Sequence, residues 1–77
     1  MQEYDAVRVI KLDTPDRHYD VAGSSEMRPP QIGDEGTIVH INPGGENFIV
    51  ECVNAEGRTL WLADFASDEL ELIAGSK

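Results

Sequence analysis

GDEGTIVHINPGGENFIVECVNAEGRTLWLADF, Gly33 to Phe65, is the stretch on which the fold turns. Three short runs rich in β-branched and aromatic residues alternate with two clusters of turn formers. GTIVHI (Gly36 to Ile41), NFIVECV (Asn47 to Val53) and RTLWLADF (Arg58 to Phe65) each have the length and composition of a strand. Between the first two lies NPGGE (Asn42 to Glu46), where Pro fixes one φ and two glycines accept positive ones. Between the last two lies NAEG (Asn54 to Gly57), a tight turn with Gly57 as its left-handed residue. The stretch therefore reads as a three-stranded antiparallel meander.

Working outward adds one strand on each side. AVRVIKL (Ala6 to Leu12) is rich in β-branched residues. Val7 and Val9 share one phase and Ile10 and Leu12 the other, which predicts a bulge or a strand that passes between two sheets. LELI (Leu70 to Ile73) is a fifth strand. ASDE (Ala66 to Glu69) is too short for an α-helix and predicts a single 3₁₀ turn capped by Ser67. Residues 13–35, dense in Asp, Ser, Pro and Gly with no sustained period, form a long loop between strands one and two. The expected architecture is all-β: one small five-stranded barrel over residues 1–77, core about 5–73, with a 3₁₀ turn before the last strand.

The order of strand, long loop, strand, two hairpins, 3₁₀ turn and strand resembles an SH3-like barrel. The residues also resemble a family of small bacterial domains without an assigned function. That family carries a Gly-x-x-Gly-Thr-Val-Val strand, a Val-Glu-Phe strand, a Gly-x-Thr strand and an Asp-x-Leu close. The match falls on Gly33, Gly36, Thr37, Ile38 and Val39, on Val50, Glu51 and Cys52, on Gly57 and Thr59, and on Asp68 and Leu70. Cys52 stands where the family usually has Phe, a departure that removes core volume, and the long loop is larger than usual. The resemblance implies a fold and no activity. It is not to the signalling SH3 domains, whose Ala-Leu-Tyr-Asp-Tyr stretch and Trp-Trp pair are absent.

Charge narrows the function. Fifteen acidic residues face six basic ones, for a net charge of −9. Residues 34–77 hold nine acids and two bases. Affinity for nucleic acid comes largely from Lys and Arg on phosphates, so nucleic acid is an unfavourable partner, and an anionic membrane surface equally so. The acidity suits solubility, or a basic protein partner. The N-terminus shows no basic and apolar leader and the longest apolar runs are three or four residues, which predicts a cytoplasmic protein. A lone cysteine, Cys52, fits a reducing compartment and excludes an internal disulfide.

No catalytic constellation emerges. No serine or threonine stands in a nucleophile elbow, no glycine-rich loop precedes a helix, and no Cys/His spacing suits zinc. The expectation is a non-enzymatic protein that needs no cofactor. Alternation along the strands suggests that Val39, Ile41, Ile49, Val53 and Trp61 share the face turned away from the barrel interior. An apolar face of that kind marks an interface, so the expected partner is a second copy or another protein. Two further readings stand beside this one. One is an acidic neutraliser of a basic partner, such as an antitoxin, an immunity protein or a nucleic-acid mimic. The other is ligand or metal binding by the loop, through Asp16, His18, Tyr19 and Asp20.

Overall fold

The computed structural model describes residues 1–13, 19–20, 28–45 and 47–74. Over these the chain forms β1 (Ala6–Val9), β2 (Tyr19–Asp20), β3 (Glu35–Ile41), β4 (Asn47–Val53), β5 (Thr59–Ala66), a 3₁₀ turn (Ser67–Glu69) and β6 (Leu70–Ala74). All strand pairs are antiparallel and belong to one sheet, ordered β2-β5-β4-β3-β1-β6. The sheet is all-β as expected, but its two ends are not hydrogen-bonded to each other among the described residues, so it is an open sheet. Five strands lie where the sequence places them. The sixth, the two-residue β2, was not expected; it pairs Tyr19 with Ala63 and Asp20 with Leu62.

The turns follow their local chemistry. Gly44, Gly45 and Gly57 all have positive φ. In the β4–β5 turn the Asn54 side chain accepts from the amides of Glu56 and Arg58 at 2.9 and 3.1 Å, an arrangement that fixes the reversal. Gly36 serves a different purpose. A Cβ there would lie 2.6 Å from the Glu51 carbonyl oxygen and 2.8 Å from a Val50 methyl. Because backbone blocks the space, Gly36→Ala is expected to destabilise by about 1–3 kcal/mol, read as a lower urea midpoint.

One face of the sheet buries the core: Val7, Val9, Ile38, Phe48, Val50, Cys52, Trp61, Ala63, Phe65 and Leu70. The cross-strand partners explain this set. Phe48 stands across from Phe65, Val50 from Ala63 and Cys52 from Trp61, and directly opposed residues share a face. The Trp61 and Phe65 rings sit 5.4 Å apart, tilted by 54°, a favourable offset arrangement.

Two local expectations are corrected. The apolar residues Ile10 and Leu12 do not mark a bulge within β1, because the strand ends at Val9 and both lie exposed beyond it. The register shift in that region is instead between β1 and β6, where Val7 meets Leu72 and Ala6 meets Ala74. The 3₁₀ turn is not capped by Ser67; the Glu69 carboxylate accepts from the Ala66 amide at 2.9 Å and closes the turn from its far end.

Candidate functional site

The strand phases decide which side chains a partner can reach. In the β3–β4 pair the register shifts between Ile38 and His40, so Val39 is the extra residue of a bulge. The shift reverses the phase. Ile38 and Ile41 come to the inner side, opposite Val50 and Phe48, while His40 is exposed opposite Ile49. Ile41 packs against the core. On β5 the inner phase is Trp61, Ala63 and Phe65, not Leu60 and Leu62.

These phases correct the expected outer face. Trp61 is 0 % exposed and Ile41 lies against the core, so neither belongs to it. Val39 and Ile49 are half-buried, and of the five only Val53 is well exposed. The physical cause is that both phases of β5 are apolar, so alternation alone does not say which one points inward. A one-residue slip then exchanges the faces completely. Of the loop residues, Asp16 and His18 lie outside the described residues. Tyr19 and Asp20 form β2, which places them on the β5 edge of the sheet. Among the described residues no three metal-ligating side chains come together.

What the structure does bring together is a charged network at the return of the long loop. Arg28 donates to both oxygens of Asp34, at 2.8 and 3.0 Å. The same carboxylate accepts from the Gln31 amide at 2.9 Å and from the Trp61 indole N–H at 2.8 Å. The Arg28 amide donates to the Leu60 carbonyl at 3.0 Å, which lays this segment along β5. Burial pushes the Asp34 carboxyl up, but the bonds from Arg28, Gln31 and Trp61 outweigh it and hold the group below the ordinary carboxylate value. The Cys52 thiol is pushed up, first by burial and then by the Asp34 charge, so the cysteine is a protonated core residue and not a nucleophile.

Asp34 thus links loop, core and pH. Its lowered value means that its contribution to stability is fully present above the ordinary carboxylate range. That contribution is lost as pH falls through the depressed value. Asp34→Asn is expected to lower stability at neutral pH and to flatten this acid limb, measured as urea midpoints across pH. An unchanged acid limb in the variant would remove Asp34 from the account.

A fully buried carboxylate holds the other end of the same loop. Glu69 is fully buried and accepts from the Asp13 amide at 2.8 Å as well as from Ala66. Both networks anchor the ends of the loop, Glu69 through the Asp13 amide and Asp34 through Arg28, Gln31 and Trp61.

The exposed apolar side chains lie elsewhere. Ile10, Leu12 and Ile32 are exposed near the end of β1, where the Gly33 amide bonds the Val9 carbonyl. Leu72 and Ile73 are exposed on β6, the outermost strand at that end of the sheet. Apart from Val53 on β4, the exposed aliphatic side chains therefore lie toward the β1–β6 side of the fold. Among the described residues no helix is long and apolar enough to cross a membrane. Comparisons with protein-family models, curated proteins and solved structures find no match to this chain.

Proposed function

We propose that this protein is a non-enzymatic interaction module, an SH3-like barrel in architecture, that works by self-association. The observation that carries the reading is the apolar surface left on the β1–β6 side of a sheet whose core is already filled. Five large apolar residues, Ile10, Leu12, Ile32, Leu72 and Ile73, lie exposed there. A chain of 77 residues has a thin core, and covering such side chains is a ready source of added stability. The barrel reading draws support from the strand order, in which the last strand returns to lie beside the first, and from one core shared by β6 at one end of the sheet and β5, next to the other end. Solution mass by light scattering across a concentration series tests self-association. A mass that rises above one chain supports it, and a single-chain mass throughout rejects it.

A second reading has its own observation. Arg8 lies between Glu35 and Glu71, at 3.1 and 3.0 Å, and Arg28 is taken up by Asp34. Lys11 also pairs with Asp13, so at least three of the six basic side chains are engaged within the chain, and the net charge that a partner meets remains −9. An acidic protein of this kind suits capture of a basic protein. Retention of a defined basic protein at low salt, lost as salt rises, is the result this reading requires.

A further inference from the structure

We propose that the second copy docks on β6, edge to edge and antiparallel, to form a closed two-fold dimer. The proposal rests on the self-association reading above and names its surface.

Four observations converge on this edge. First, Leu72 stands opposite Val7 in the β1–β6 register, yet Val7 is 1 % exposed and Leu72 50 %. Leu72 is therefore placed in the phase of a core residue but lacks cover. Second, the register runs from Val7–Leu72 to Ala6–Ala74, so Ile73 has no partner on β1 and is 40 % exposed. Third, β6 is an end strand of the sheet and pairs only with β1 among the described residues, while the strand at the other end, β2, is two residues long and offers little edge to a partner. A copy whose β6 is paired antiparallel with another β6 has no second β6 edge to offer a third copy. The arrangement open to it is a single isologous pair.

The fourth observation is charge. A net of −9 opposes any dimer, yet β6 (Leu70–Ala74) holds one carboxylate, Glu71, and Arg8 bonds it at 3.0 Å. A two-fold axis through Leu72 places Leu70 across from Ala74 and Glu71 across from Ile73. No carboxylate then meets another, and the two Leu72 side chains cover each other. Edge strands that remain single are commonly protected by lysine or proline, and β6 contains neither.

The test is sedimentation equilibrium of the wild type, Ile73→Lys and Val53→Lys, at low and at high salt. Val53 is the control, an apolar residue 47 % exposed at the end of β4, which β3 and β1 separate from β6 in the sheet. The expected result is a wild-type mass approaching twice one chain, more complete at high salt because the residual repulsion is screened. Ile73→Lys is expected to return the mass to one chain, and Val53→Lys to leave it doubled. Backbone amide exchange guards against a variant that misfolds: in the wild type, protection of the β6 amides should rise with protein concentration. A single-chain wild type at high salt overturns both this proposal and the reading beneath it. A dimer that survives Ile73→Lys, or β6 amides whose protection ignores concentration, overturns the β6 proposal and leaves self-association standing.

Discussion

Trp61→Ala is expected to abolish most of the folded population near physiological temperature. Trp61 is completely buried, faces Cys52 across β4–β5, and stacks on Phe65. Truncating a buried aromatic costs about 3–5 kcal/mol through lost burial and the cavity left behind. A domain of this size has only about 5–15 kcal/mol in total and sits toward the lower end. The same change removes the indole donor from Asp34 and leaves a half-buried carboxylate with one partner fewer. A fall in melting temperature on the order of 20 °C is expected, read by circular dichroism. Trp61→Phe separates the two effects. It keeps a ring in the core and deletes the hydrogen bond, so it should fall well short of the alanine variant. Near-wild-type stability for Trp61→Ala would mean that the core is not built around this residue.

Glu69→Ala should produce the second large loss, about 3 kcal/mol. The Glu69 carboxylate is wholly buried and accepts two backbone amides, those of Ala66 and Asp13. Removing it leaves both donors without that acceptor, and an unsatisfied buried donor costs about 1–3 kcal/mol. Glu69→Gln keeps one oxygen but turns an amide donor toward another donor, so it recovers part of the loss and no more. Asp68, its exposed neighbour, supplies the contrast. Asp68→Ala should leave the urea midpoint almost unchanged. Equal effects at the two positions would show that Glu69 is not a structural acid.

These two residues also mark where sequence reading stops. The turns were legible because their causes are local. Gly44, Gly45 and Gly57 take up positive φ, and Asn54 bonds residues two and four positions on. Strand positions were legible because β-branched residues cluster between those turns. The phase of β5 was not, because Leu60 and Leu62 on one face and Trp61, Ala63 and Phe65 on the other are equally apolar. Only the pairing with β4 breaks the tie, and that is a long-range fact. Val39 hid a bulge for the same reason: four residues in Ile38 to Ile41, three of them apolar, give no sign of which one is extra. β2 is two residues long, too short for any periodicity, and exists through its partner β5.

The anchoring carboxylates were missed on different grounds. Asp34 and Glu69 lie among fifteen acids, and nothing in composition separates a buried acid from a solvated one. A local signal did exist for Glu69. It stands three residues after Ala66 at the start of a short turn, the spacing at which a carboxylate reaches back to a free amide. Asp34 had no such signal, because Arg28 and Trp61 reach it from either side of the chain. The candidate interface moved with the phases. With Trp61 in the core, Val53 alone of the expected set stayed well exposed, and the other exposed aliphatic residues were Ile10, Leu12, Ile32, Leu72 and Ile73.

The position of β1 between β3 and β6 has a bearing on how the protein is made. As the chain leaves the ribosome, β3, β4 and β5 emerge in succession and pair with immediate neighbours. β1 appears before any of them, yet one of its two flanks stays open until Leu70 and the residues after it have been synthesised. Contacts between the two ends of a chain are slow to close. An early strand with an open flank is what a nascent chain must keep from pairing with strangers. Arg8 sits mid-strand and ends up between Glu35 and Glu71, so the strand that waits carries a charge whose two partners are made later than it is.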